Sequence, residues 1–209
     1  MSLELTEVCV GPVGGAPLFA PISLTVQAGQ VATVMGASGI GKSTLLDAIG
    51  GHLAHGFAVT GRVELNGRDV LTLPAEARRI GVLFQDAMLF PHLSVGDNLA
   101  FGLTRAVRGA ARRVAVLEAL EQAGLAGFAA RDPATLSGGQ RARAALMRAV
   151  LAQPEALLLD EPFSRLDAGL RAEIRSFVFD YLRARGIPGL LVTHDASDAE
   201  AAGGDVVQL

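Results

Sequence analysis

Hydrophobic positions along this chain switch between two periods, and the switches mark its elements. Alternation at Ile22, Leu24 and Val26 predicts a half-exposed strand, and the VATVM run at 31 to 35 predicts a short strand buried on both faces. A strand at 62 to 65 runs into Asn66-Gly67, a dipeptide suited to a tight hairpin because both residues tolerate positive φ. The first third is therefore expected to begin with antiparallel strands. Further on, IGVLF at 80 to 84, ALLLD at 156 to 160 and GLLVT at 189 to 193 are apolar without alternation, as strands covered on both faces are.

From about 86 to 153 the period becomes helical. Ser94 with Asp97 has the form of an N-cap and its third-position acid, residues 110 to 123 are amphipathic and stop at Gly124, and Ser137 opens a helix that runs to about 152, before Pro154. A further helix covers about 168 to 185 and stops at Gly186. The predicted architecture is α/β in a single domain of 1–209. Residues 1–85 and 154–209 form a parallel core with an antiparallel β subdomain, and 86–153 form an inserted helical subdomain.

Composition narrows the class. Half the residues are hydrophobic, yet no run reaches the 18 apolar residues of a membrane span, because Pro12, Pro17, Pro21 and several glycines break the uncharged stretch from 8 to 41. The MSLELTEV start places Glu4 and Glu7 where an export signal needs a basic and then an apolar region, so none is expected. Cys9, the only cysteine, rules out a disulfide framework and is expected to pack in a strand. A net charge of -3 argues against phosphate-backbone binding, and the cluster Arg105, Arg108, Arg112 and Arg113 is read as a solvated helix face. Of 18 lysines plus arginines, only Lys42 is a lysine, which marks a place where an ammonium is needed.

Lys42 sits in Gly36-Ala37-Ser38-Gly39-Ile40-Gly41-Lys42-Ser43-Thr44, which fits the G-x-x-x-x-G-K-[ST] pattern between a predicted strand and a predicted helix. Such a loop turns backbone amides toward phosphate oxygens at a positive helix end; Lys42 reaches the outer phosphates and Ser43 can ligate magnesium. At the end of the 156–160 strand, Asp160 is placed to hold magnesium and Glu161 to polarise a water.

Residues 136 to 140 read LSGGQ. With the phosphate loop, Gln85 after a strand, DEPFSRLD at 160 to 167 and His194 after the last buried strand, this resembles the ATP-binding cassette of ABC transporters, a P-loop NTPase with a RecA-like core. GVLFQDAMLF, DPATLSGGQRARAAL and DEPFSRLD are similar in particular to small importer cassettes of the YnjD kind and to thiamine and ferric-ion importer subunits.

The resemblance implies an ATPase using ATP and Mg²⁺. It implies a homodimer or paired cassette closing on ATP, so that Ser137, Gly138, Gly139 and Gln140 of one copy meet the γ-phosphate held by the other. Gln85 would sense magnesium and water, His194 would contact the γ-phosphate and order Glu161, and Asp167 would link the two sites. A separate integral membrane permease is implied, with a periplasmic or extracellular solute-binding protein where import is the direction. The subunit would lie in the cytoplasm against the membrane. No nucleic acid is expected, although a soluble non-transport cassette of the nucleic-acid, ribosome or iron-sulfur assembly type remains an alternative.

Three features depart from the family pattern. Residues 11 to 16 hold no aromatic group to stack on adenine, with Phe19 the nearest ring and better suited to the core; Arg165 stands where alanine is common; and the sequence stops at Leu209, about one strand past His194. The apolar stretch at 87 to 95, with Met88, Leu89, Phe90 and Leu93, is expected either to line a groove for a permease helix or to be local core.

Overall fold

In the computed structural model, which describes all 209 residues, the chain begins with β1 (Ser2–Pro12), β2 (Ile22–Gln27), β3 (Val31–Met35), α1 (Lys42–Gly50), β4 (Phe57–Leu65), β5 (Arg68–Asp69), α2 (Ala75–Arg78) and β6 (Ile80–Leu83). There follow α3 (Val95–Gly102), α4 (Gly109–Gln122), a 3₁₀ turn (Pro133–Thr135), α5 (Gly138–Leu151), β7 (Ala156–Asp160), α6 (Ala168–Arg185), β8 (Gly189–Thr193), α7 (Ala196–Ala202) and β9 (Val206–Gln208). These elements divide into one unit of Met1–Val82, Glu155–Glu161 and Arg175–Leu209, and a second of Leu83–Pro154 and Pro162–Ile174.

The first unit holds two sheets. One is antiparallel in the order β2-β1-β4-β5, with Leu5 opposite Leu24 on one side and Val63 on the other. Its central strand β1 escaped the periodicity because Glu7 takes a left-handed φ of 49° and the register slips between Leu5 and Val8. Leu3 and Leu5 point inward before that bulge and Val8 and Val10 after it, so no single alternation spans the strand. Cys9 is buried there, as expected, and its Sγ lies 3.1 Å from the Phe19 carbonyl. Asn66 and Gly67 carry φ of 54° and 76°, the two positive values that a tight β4–β5 turn requires.

The other sheet runs β6-β7-β8-β3-β9, with β7, β8, β3 and β9 paired in parallel. Leu45 and Ile49 of α1 join Leu3 and Val63 of the first sheet and Val34, Leu158 and Leu190 of the second in one buried cluster. Each such side chain contributes ~1.5 to 3 kcal/mol of burial.

The far end of α1 is closed by Arg78, which is 7% exposed. Its Nη1 donates to the carbonyls of Ala48 (2.6 Å) and Ile49 (2.8 Å) and its Nε to Leu73 (2.9 Å). These include two of the carbonyls that a helix C-terminus leaves without an internal partner. Burial pulls the Arg78 pKa below its ordinary value, with Asp69 opposing that shift.

In the second unit, Ser94 caps α3 by accepting from the Asp97 amide at 3.1 Å, as its spacing predicts. α4 stops before Gly124, whose φ is +66°. The basic cluster needs a correction at one position. Arg105, Arg108 and Arg113 are exposed, but Arg112 is half-buried and donates to the carbonyls of Leu103, Thr104, Val107 and Ala100, closing the end of α3. A helix terminus one loop away, which charge patterning cannot see, is what it serves.

Candidate functional site

The loop between β3 and α1 closes on its own lysine. Gly41 takes φ +111°, and a Cβ there would meet Leu18 Cδ1 at 2.8 Å, so only glycine brings the chain this close to the wall beneath. That wall includes Phe19, 7% exposed and part of the core, which settles its role as packing. Residues 11 to 16 present no ring, and Val13 stands 70% exposed.

Lys42 is 5% exposed; its Nζ donates to the Gly36 carbonyl (2.8 Å) and the Ala37 carbonyl (3.0 Å), and lies 3.6 Å from Glu161 Oε1. Of an ammonium's three donors, two are taken by these carbonyls, and the charge is paired with the Glu161 carboxylate. Beside it, Ser43 Oγ donates to Asp160 Oδ1 at 2.9 Å. Burial pushes the Asp160 carboxyl above the usual carboxylate range; Glu161 adds to this, while the Ser43 hydrogen bond and the Lys42 charge oppose it. Asp47, one turn beyond Ser43 on α1, is also raised, first by burial and then by Asp160, with His52 opposing. Sequence reading passed over Asp47, although its i+4 spacing from Ser43 puts it on the same helix face. This corner carries an excess of negative charge that a cation would relieve.

Glu161 sits just past β7 in a left-handed conformation, φ +43°, with its amide bonded to the Val192 carbonyl at 3.0 Å. That bend sends its carboxylate between an ammonium and an imidazole. Oε1 faces Lys42, and Oε2 lies 3.1 Å from His194 Nδ1. Lys42, Ser43, Asp160, Glu161 and His194 thus converge within the first unit.

Gly36 to Gly41 and Thr44 lie in the first unit with them, whereas Gln85, Ser137 to Gln140 and Asp167 lie in the second. Ser137 caps α5 in a full capping box, its amide donating to Gln140 Oε1 (3.0 Å) while its Oγ accepts from the Gln140 amide (3.3 Å). Gly139 is pressed against Leu170, whose Cδ1 would lie 2.5 Å from any Cβ. Asp167 Oδ1 accepts from the Leu170 amide at 3.1 Å at the start of α6. Gln85 Nε2 donates to Ser164 Oγ at 3.0 Å, and the neighbouring Asp86 pairs with Arg165. Gln85, Gly138, Arg141, Phe163 and Arg165 help line a cavity of about 280 Å³.

A glycine loop entering a helix from a buried parallel strand, with a carboxylate at the end of another strand of the same sheet, defines a P-loop nucleoside-triphosphatase. Residues 19–164 match the model of the ABC transporter family. An uncharacterised ABC transporter ATP-binding protein, YnjD of Escherichia coli K12, is 54% identical over 184 residues, covering 88% of this chain and 85% of that protein. A thiamine import ATP-binding protein, ThiQ of Cereibacter sphaeroides, is 47% identical over 84% of this chain and 75% of its own length. An Fe(3+) ions import ATP-binding protein, FbpC 1 of Rhodococcus jostii, is 45% identical over 89% of this chain, which spans only 53% of that longer relative. The chain belongs to the ABC transporter family. It is an ATP-binding subunit of that family, a transport ATPase, and the non-transport alternatives fall away.

Proposed function

We propose that this subunit hydrolyses ATP with Mg²⁺, closes as a dimer or paired cassette around nucleotide, and drives a separate integral membrane permease in solute import. It works in the cytoplasm against the membrane, with a solute-binding protein outside. No helix of the chain is long and apolar enough to cross a membrane. The names of the ThiQ and FbpC relatives support import.

The observation that carries this reading is the Lys42–Glu161–His194 array beside the Ser43–Asp160 pair. Phosphate oxygens offer Lys42 charged acceptors in place of the neutral Gly36 and Ala37 carbonyls, which adds direct charge attraction to the hydrogen bonds. Once Lys42 turns to phosphate, Glu161 keeps Oε2 on His194 and turns Oε1 from the ammonium to an attacking water. Ser43 and Asp160 supply two hard oxygens that suit Mg²⁺, which when bound offsets phosphate charge. Gln85 serves the magnesium and water side, Ser137 to Gln140 the γ-phosphate of a second copy, and Asp167 the link between copies.

Lys42→Ala tests this reading. ATP affinity should fall ~10- to 100-fold, the worth of charged hydrogen bonds. Equilibrium binding of a fluorescent ATP analogue measures it, and unchanged affinity would overturn the site.

A permease dock is the second element of the reading. Met88 (59%) and Phe101 (65%) are exposed, as are Val114 (51%) and Leu117 (47%) on α4. Phe90 itself is half-buried: its amide and carbonyl are both held by the Asn98 side chain, and its ring stacks edge-on to Phe101 at 4.7 Å. Phe90 is therefore the floor and Phe101 the exposed anchor. Phe101→Ala should weaken permease association by ~2 kcal/mol and leave the isolated subunit's ATPase and melting temperature near wild type. Unchanged co-purification with the permease would place the dock elsewhere.

A further inference from the structure

His194 is 52% exposed, and nothing in its own side chain explains why it should point at Glu161 with any constancy. The residues on either side of it are held far more firmly. Thr193, 2% exposed, accepts the Asp195 amide on its Oγ1 at 3.0 Å, closing a two-residue turn over His194. The same hydroxyl donates onward to Asp198 Oδ2 at 3.4 Å. Asp198, with a side chain only 3% exposed, receives Arg175 Nη1 on its other oxygen at 3.0 Å. Arg175 also donates to the Ser197 carbonyl (2.9 Å) and hydroxyl (3.2 Å), while Asp195 caps α7 through the Ser197 amide at 2.9 Å.

The order of these bonds has a direction. A hydroxyl has one proton, so giving it to Asp198 turns the Thr193 lone pairs toward the Asp195 amide. The buried Asp198 charge is sustained by Arg175, since a carboxylate out of water needs a paired cation. Remove any member and the turn that carries His194 loses its fixed shape, while β8 and its buried residues still pack.

We infer that Arg175, Asp198 and Thr193 form a positioning relay that holds His194 against Glu161, and that Asp198 acts on ATP turnover only through His194. This rests on the proposed roles of Glu161 and His194. None of the three residues touches nucleotide in this account; they are positioning residues.

The experiment is a mutant cycle on the full chain. Asp198→Asn and Thr193→Val should each lower kcat ~10-fold with the KM for ATP within about twofold, as a misaligned catalytic group does. Combined with His194→Ala, neither should cause any further loss, because the group they position is gone. A second readout is independent of turnover. Of the chain's four histidines, only the His194 imidazole resonance, assigned by its absence in His194→Ala, should move in Thr193→Val; those of His52, His55 and His92 should stay. Thr193→Val keeps volume and leaves the Arg175–Asp198 pair intact, so it carries the test if Asp198→Asn folds poorly. Losses that multiply with His194→Ala, or a rise in KM without loss of kcat, overturn the relay alone. A fully active His194→Ala overturns the catalytic reading of the site and the relay with it.

Discussion

Glu161→Gln is expected to bind ATP as the wild-type chain does and to turn it over ~10²- to 10⁴-fold more slowly. Glutamine preserves length and keeps a carbonyl oxygen toward His194 Nδ1, so the ground-state geometry survives. What disappears is the charge that polarises water between Lys42 and His194, about 3 to 5 kcal/mol of transition-state stabilisation at the quoted rates. Because closure around ATP precedes hydrolysis in the proposed cycle, the variant should accumulate as an ATP-bound dimer. Sizing chromatography with ATP and Mg²⁺ would show a shift to twice the mass, stable for hours, where wild type returns to monomer. An enzyme that keeps wild-type turnover with glutamine here does not use this carboxylate.

The second large effect concerns stability. Arg78→Met should cost about 3 kcal/mol, because a buried guanidinium holding the Ala48, Ile49 and Leu73 carbonyls is replaced by a thioether that donates nothing. Methionine keeps most of the apolar stem, so the loss isolates the hydrogen bonds. Urea unfolding followed by circular dichroism would show the midpoint falling with the slope unchanged. A loss under about 1 kcal/mol would mean that water reaches those carbonyls and the helix end needs no arginine.

What the sequence disclosed and what it hid divide along physical lines. The phosphate loop, the acids ending β7, the Ser137 cap and the Asn66-Gly67 turn were legible because each depends on residues a few positions apart. β1 was hidden because a bulge at Glu7 resets its alternation halfway. Arg78 and Arg112 were hidden for a different reason: their partners are backbone carbonyls, which every residue possesses and no side-chain pattern announces. Asp198 and Arg175 lie 23 positions apart on separate helices, so only the fold joins them. The readable part of the site was its short motifs, and the unreadable part was the ion pairs and carbonyl contacts that join distant elements.

Glu161 occupies a backbone region that L-residues enter at a cost of ~1 kcal/mol, and it does so next to another acid in a corner already short of positive charge. A glycine there would relax the bend and remove the repulsion at once. The backbone strain at this residue is thus a cost that its Lys42 and His194 contacts must offset in the nucleotide-free fold, and a glycine would be spared it. Stability and turnover compete at this one position, so consensus or thermostability engineering of such subunits should leave it untouched even when substitutions there score as improvements.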